Sequence, residues 1–514
     1  MILKAKLLNI QAGGKNIAIL DDDVASLLGV HSSDRIKIAR GKRDLIAILN
    51  VASTLERDRI GVYSEIAHEL ELKDNEKVDV RPAEAPESLH HIQSKIRNER
   101  LHREEIDLIV RDVVERHLSD IEIAAFVTSL YVNGLSIDEA EALSEAMVRT
   151  GSMLNLDEKT ILDKHSIGGI PGDKTTILIV PIVAAAGLVI PKTSSRAVTS
   201  PAGTADRVES LCPVDLSISE IKEVVKKTKG CMVWGGALDL APADDIFIQV
   251  EYPLGIDPML LPSIMSKKKA IGATHVVVDI PTGRGAKAKT IGEAEDLAND
   301  FIDLGKRLGI EVQCGITFGE QPLGYSIGPA LEAREALSTI MGNGPSDLRE
   351  KAISLGGILL EMVGLNNGKQ IAERLLTSGK AEQKLRQIID AQGGNSKVKP
   401  EDIAIGDKKA EITAQKDGRV LWISNEAISK VAREAGAPRD KGAGVLLKTK
   451  LGDHVAKGKG LYEIIAERST KLQSALKLAN KLSVVGLTRK PGDTMLIGRV
   501  PTKLVHKKVF TLER

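Results

Sequence analysis

A multidomain α/β fold is what this chain of 514 residues predicts, on three observations. The length suits about three or four domains, with room for sizeable cores and a cleft between them. From Ile161 onward apolar strand-like runs alternate with helical stretches, the order that builds a central, mostly parallel sheet. The texture also changes twice, at the proline- and alanine-rich residues 81–86 and near Ser396, which marks off a unit at each end.

Taken in order, residues 1–84 read as short strands and turns, as in Ile17-Ala18-Ile19-Leu20 and Arg35-Ile36-Lys37-Ile38-Ala39, and predict a β-rich, barrel-like domain. The run from Leu20 to Asp34 resembles a double-psi β-barrel, in which a short helix precedes a strand. Residues 88–157 turn helical, because Ile92, Ile96, Ile106, Ile109, Val110, Val113 and Val114 recur at three-to-four spacing. Residues 158–395 form the α/β domain, with strands at Leu188-Val189-Ile190, at residues 275–280 and at residues 310–316. About residues 240–270 interrupt it and return to the helical layer, so a cleft is expected between the two domains. Residues 396–514 carry glycines and strand-like runs such as Gly418-Arg419-Val420-Leu421-Trp422-Ile423 and predict a C-terminal α+β module.

One segment concentrates chemistry: Asp163-Lys164-His165-Ser166-Ile167-Gly168-Gly169-Ile170-Pro171-Gly172-Asp173-Lys174-Thr175-Thr176. Glycines let backbone approach an anion closely, and the helix start that follows presents free N–H groups. Lys164 adds a full charge, Ser166 and Thr176 add hydroxyl donors, and Lys174 is a second cation in the same loop. Neither the Walker A order nor the G-x-G-x-x-G fingerprint is present, which removes the usual sequence support for ATP and NAD. The plain alternative is a glycine turn joining a strand to a helix.

Composition narrows the class further. Lys plus Arg (71) balances Asp plus Glu (70) and aromatic residues make up 2%, so neither a basic field nor stacking platforms point to nucleic acid. Cys212, Cys231 and Cys314 are odd in number and far apart, which suits the cytoplasm and suggests neither a disulfide framework nor a zinc site. The N-terminus alternates like a strand and lacks a signal peptide's apolar core. The longest apolar run, residues 177–190, carries Pro181 and Gly187 and is too short to span a bilayer, so it reads as a buried helix leading to a strand.

With the glycine-rich segment in place, the chain resembles the thymidine and pyrimidine-nucleoside phosphorylase family over roughly residues 88–505. The resemblance continues through Pro181, Gly187, Pro191, Ser194, Arg196 and Thr204, then through Pro262-Ser263-Ile264-Met265-Ser266-Lys267-Lys268 and the run from Ile327 to Leu337. Where that family carries an arginine for the base carbonyl, counting from Leu240-Ala241-Pro242-Ala243-Asp244 reaches Glu251, and its glycine-rich run after Arg196 becomes Ala197-Val198-Thr199-Ser200-Pro201-Ala202-Gly203. These departures, Pro171, the extra N-terminal domain and Leu254-Gly255-Ile256-Asp257-Pro258 resemble instead the archaeal AMP phosphorylase branch, which acts on nucleoside 5′-monophosphates.

That resemblance implies phosphate ligands at Lys164, Ser166, Thr176 and Ser194, working by position and charge. It implies nucleotide contacts at Gly169, Ser195, Arg196, Ala197, Val198, Thr199, Ser200, Thr204, Ser263 and Lys287, although residues 195–204 also suit an ordinary helix-capping loop. Asp257 is the implied general acid; directly before Pro258, it equally fits a helix N-cap with proline at the first helical position. His165 stands beside the phosphate ligands either as a participant or as a structural histidine, and Lys267, one helical turn from Ser263, is expected to share its face toward the cleft. The implied reaction turns a nucleoside 5′-monophosphate (AMP, then CMP and UMP) and orthophosphate into free base and ribose 1,5-bisphosphate, without metal or organic cofactor. A homodimer building a larger homo-oligomer is the implied assembly, with residues 1–84 joining the dimers. Thymidine/pyrimidine-nucleoside phosphorylase, phosphoribosyltransferase and a non-enzymatic adaptor are the rival readings.

Overall fold

The computed structural model describes residues 1–197 and 200–488; the expected contacts Val198 and Thr199 lie outside the described residues, as does the C-terminal module from residue 489 onward. Six strands close into a barrel in the order Ile2–Leu7, Arg59–Val62, Ile17–Leu20, Arg43–Val51, Arg35–Arg40 and Lys77–Pro82, the last pairing back onto the first. Alternation explains the closure: Ile36 and Ile38 are buried while Lys37 between them is exposed, and Leu45, Ala47 and Leu49 repeat the pattern. A unit of strand, strand, helix and strand occurs twice, first through the helix Asp22–Leu28 and then through Ser64–Glu69. Each of the six strand pairings joins one unit to the other. Asp21 caps the first helix by accepting the N–H of Asp23 at 3.1 Å, and Gly29 ends it at φ 70°.

Next comes a helical bundle of Ser88–Ile96, Arg103–Val114, Asp120–Asn133 and Ile137–Arg149, the last two opened by the reciprocal Ser119/Glu122 and Ser136/Glu139 caps. The helices Pro242–Leu254 and Leu260–Ala270 return to this layer. Phe247 seals the return, its ring centroid 6.0 Å from that of Phe126 in a core shared with Ile109, Val113 and Met259.

The α/β domain holds five parallel strands. Glu311–Phe318 pairs with His275–Thr282, which pairs with Leu162–Ser166; an Ile161–Val189 bridge links these to Ile190–Ser194 and Gly230–Trp234. The chain therefore lays successive strands first to one side of Leu162–Ser166 and then to the other. Such a switch point leaves a crevice at the carboxyl ends of the strands. The helix Thr176–Ala185 behind it is apolar on all sides and buried from Thr176 to Ala184, packed by the later helices Ser346–Met362 and Lys380–Ala391.

The C-terminal module folds as two small antiparallel sheets with the helices Asn425–Glu434 and Ser469–Ala479. It is not closed off at Ser396, because Ser326–Ile327 of the preceding domain pairs with Gly444–Leu447 as an edge strand of its sheet. Among the described residues no helix is long and apolar enough to cross a membrane.

Candidate active site

The switch-point strand ends in the glycine-rich loop and delivers Asp163, Lys164, His165 and Ser166 to the crevice. Gly169 adopts φ +93°, and a Cβ there would sit 2.8 Å from the backbone nitrogen of Lys287. Gly172, at φ +82°, would place a Cβ 2.5 Å from the Leu323 carbonyl oxygen. Both positions thus require glycine for conformation and for the close passage of another chain segment.

A cavity of about 550 Å³ opens on this loop. Of the residues expected from sequence, Lys164, His165, Ser166, Gly169, Thr176, Ser194, Ser195, Ser200, Thr204 and Lys267 line it together. Its floor is a charge lattice. Asp163, wholly buried, takes Lys268 Nζ at 2.6 Å and Lys192 Nζ at 3.5 Å, while its Oδ1 accepts the Lys164 N–H. Lys164 Nζ donates to Thr175 Oγ1 at 2.9 Å and faces Asp173 at 3.7 Å and Asp279 at 3.9 Å, two carboxylates that Lys351 also holds. Asp163, Asp173 and Asp279 therefore confront Lys164, Lys192, Lys268 and Lys351, and the floor is short of negative charge.

That shortage shows in proton affinity. Burial lowers Lys192 to about 7 against the pull of Asp163, and Lys268 and Lys164 lower it further. Burial and the charges of Lys268, Lys192, Lys164 and Lys267 hold His165 well below the ordinary histidine range, so at neutral pH its imidazole is uncharged. Lys267 ion-pairs with Asp244; burial alone would lower it, yet Asp244, Asp245 and Glu251 raise it. Burial raises Asp245, which lines the cavity, and pushes Glu251 up to about 7 with help from Asp257 and Asp244.

Several of the expected residues stand off the cavity wall. Arg196 does not line the cavity: Glu209 takes its guanidinium with two bonds of 2.8 Å, and the group lies 4.8 Å over the Trp234 ring, which does line it. The Ala197 N–H is taken by Asp206 Oδ2 at 2.7 Å, a carboxylate that also binds Gly203 N–H and so pins both ends of that loop. Lys174 points the other way, its buried Nζ donating to the carbonyls of Leu323 and Ser326 and pairing with Glu335 at 2.5 Å. Ser263 falls outside the cavity wall although Lys267 reaches it, since Ser263 lies a turn nearer the Asp257 end of the helix.

Asp257 caps no helix. Leu260 starts the helix, Met259 is its cap residue without a side-chain bond, and Pro258-Met259 form a turn between. The Asp257 carboxylate instead ion-pairs with Lys287, the two side chains 42% and 41% exposed. Neither lines the cavity, yet the backbone of Lys287 passes against Gly169, so the pair bridges the helical bundle and the α/β domain at the rim.

Residues that sequence reasoning missed are Lys192, Arg207, Trp234, Asp245 and Lys268. Arg207 binds Glu332 at 2.5 Å and the Ala202 carbonyl at 2.8 Å and reaches Thr204 Oγ1 at 3.3 Å, which sets the far wall. A lysine inside the buried strand Ile190–Ser194 was the available signal for Lys192. Asp112, Glu115 and His117 bring three ligand-type atoms within 4.8 Å of one another, but none of them lines the cavity.

A switch-point crevice with a buried cationic floor and a cleft against a helical bundle defines a class, enzymes that transfer a glycosyl group to or from phosphate. Residues 158–382 match the glycosyl transferase family a/b domain, 89–151 its helical bundle domain, and 420–485 the pyrimidine nucleoside phosphorylase C-terminal domain. An AMP phosphorylase of Thermofilum pendens is 47% identical over 99% of this chain and 100% of its own length. Those of Pyrococcus furiosus and Methanocaldococcus jannaschii are each 50% identical over 94% of this chain and 97% of theirs. The chain belongs to the AMP phosphorylase family. Anthranilate phosphoribosyltransferase from Thermus thermophilus, at TM-score 0.50 and 19% identity over 59% of this chain and 98% of its own, shares the fold.

Proposed function

We infer that this chain phosphorolyses nucleoside 5′-monophosphates, AMP first and CMP and UMP also, to ribose 1,5-bisphosphate and free base. The observation that carries the reading is the gathering of the buried lysines Lys164, Lys192 and Lys268 on the cavity beside the glycine-rich loop at the switch point. The relatives' specificity and the cavity's size agree with it.

In this reading orthophosphate lies on Lys164, Ser166, Thr176 and Ser194, with its oxygen aimed at C1′. The C1′–N bond to the base breaks as the C1′–O bond forms, and the negative phosphate beside C1′ stabilises the oxocarbenium-like sugar between them. Gly169, Ser195, Ser200 and Thr204 face the nucleotide across the cavity. Drawing Lys287 onto the nucleotide releases the Asp257 carboxylate from its partner, and Asp257, once it has taken a proton from solvent, acts as general acid on the departing base. His165, uncharged, donates or accepts a hydrogen bond without adding a cation. Orthophosphate is a co-substrate, and the sequence of steps needs no metal or organic cofactor.

The assembly we propose is a homodimer through the bundle, because Ile121 and Val132, 82% and 71% exposed, lie on one face of the helix Asp120–Asn133 with Tyr131 beside them. The N-terminal barrel then joins dimers, and the enzyme works in the cytoplasm. Supplying AMP, adenosine and thymidine separately with phosphate tests the reaction. Adenine with a bisphosphorylated ribose is the expected outcome, and turnover of thymidine alone would sink it.

A further inference from the structure

We propose that Asn425, in the C-terminal module, is a positioning residue for the loop that carries Lys287. The inference rests on the reading of Lys287 as a nucleotide contact. Asn425 is 2% exposed, and its Nδ2 donates to the Gly319 carbonyl at 2.8 Å. The Gly319 N–H in turn donates to the Thr282 carbonyl at 2.8 Å, where the loop begins, and a Cβ on Gly319 would lie 2.9 Å from the Thr282 nitrogen. Further along, a Cβ built on Gly285 would be 3.5 Å from Asn425 Cβ, so the loop's turn rests on this side chain. The loop then closes with Gly283 N–H on the Ala288 carbonyl and passes the Lys287 nitrogen against Gly169. A continuous run of backbone contacts thus leads from Asn425 to the cavity wall.

The alternative, that Asn425 serves only its own helix, fits poorly. Ser424 is the cap there, its Oγ accepting the Ala427 N–H at 3.1 Å. Asn425 Oδ1 is buried without a hydrogen-bond partner, a penalty that an apolar side chain at the same place would not carry. The module grips the same segment again just beyond, with Leu451 N–H on Gln321 Oε1 and Lys450 Nζ on the Pro322 carbonyl, both at 2.8 Å. Two grips on residues 319–322 make the module a brace for the loop rather than a passive neighbour.

The test measures steady-state kinetics with AMP and phosphate for full-length Asn425→Ala, Lys287→Ala and the double variant. Asn425→Ala is expected to raise KM for AMP about tenfold while kcat and KM for phosphate stay within about twofold. Because it acts through Lys287, it should add nothing further in the Lys287→Ala background. Should Asn425→Ala fail to fold, Asn425→Asp, equal in shape but with no donor for the Gly319 carbonyl, carries the same comparison. An unchanged KM for AMP, or an effect that adds fully to that of Lys287→Ala, would overturn the proposal. An unchanged KM for AMP in Lys287→Ala itself would instead take down the Lys287 reading, and this inference with it.

Discussion

The floor and the rim of the cavity hold their charges in opposite ways. On the floor, Lys164, Lys192 and Lys268 are nearly inaccessible and each is fixed by a buried carboxylate, so these donors cannot turn away and are in place before any substrate arrives. At the rim, Asp257 and Lys287 are each about two-fifths exposed and hold only each other. Exposed pairs of this kind are worth about 0–1 kcal/mol, little enough for a nucleotide to exchange one partner for itself. The floor is fixed before anything binds, whereas the rim can rearrange.

The largest way to break that contrast is Lys164→Ala. Removing a fixed cation from a dry site should lower phosphate-dependent turnover by about 10²- to 10³-fold. Lys351 alone then faces Asp173 and Asp279, so the variant should also melt lower, and its turnover is compared at a temperature where it is folded. A folded variant with unaltered phosphate dependence would show that the floor does not bind the attacking anion. Next in size, Asp257→Asn should cut kcat with AMP about 10²-fold while AMP binding is largely kept. Since Asp257 caps no helix, Asp257→Ala and Asp257→Asn should melt together, within about 1 kcal/mol of the parent. An active Asp257→Asn enzyme would move the search to Asp245, the carboxyl that does line the cavity.

Glu251 sharpens the comparison, being a buried group behind an exposed one. Its carboxyl stays protonated to about 7 when folded, against 4.5 ordinarily, so between those values the unfolded chain gives up a proton that the folded chain keeps. Its contribution to stability is therefore complete below about pH 4.5 and lost as pH rises through about 7. Glu251→Gln should leave melting near pH 5 unchanged and raise it near pH 8, roughly the two ends of that titration. Equal shifts at both values would show that Glu251 does not titrate in this window. Smallest in its effect on turnover is deletion of residues 1–84, none of which lines the cavity: the assembly should shrink by light scattering while AMP is still consumed. An unchanged particle size would remove the barrel from the assembly.

What sequence shows of this site follows the distance over which each feature is decided. The glycine-rich loop is legible because Gly168, Gly169 and Gly172 encode local conformation, and their φ values of 84°, 93° and 82° are what such a run predicts. Arg196 and Lys174 turn away from the cavity because a long cationic side chain goes to whichever carboxylate the fold brings near, and Glu209 and Glu335 lie 13 and 161 residues away. Lys192 and Lys268 were missed for the same reason: both converge on Asp163 from separate elements, with no periodic pattern to announce them. The Asp257-Pro258 pair matches a capping signature locally, and only the intervening turn at Pro258-Met259 denies it. The order of strands and helices was visible from periodicity, but the share that Ser326–Ile327 takes in the C-terminal sheet was not, two residues being too few to form a pattern.

The interleaving of the N-terminal barrel governs how it comes into being. Since every strand pairing crosses between the two units, neither unit has a sheet of its own to form first. Only the hairpin of Arg35–Arg40 with Arg43–Val51 is short-range, and the pairing of Ile2–Leu7 with Lys77–Pro82 must wait for nearly the whole domain to leave the ribosome. A barrel of such distant partners acquires structure slowly and nearly all at once. In stopped-flow refolding of residues 1–84, Ile38→Val in the hairpin should slow folding, whereas Leu3→Ala at the closing seam should mainly hasten unfolding. The reverse assignment would place the nucleus at the seam, and the two ends of the domain would then have to meet before anything between them is ordered.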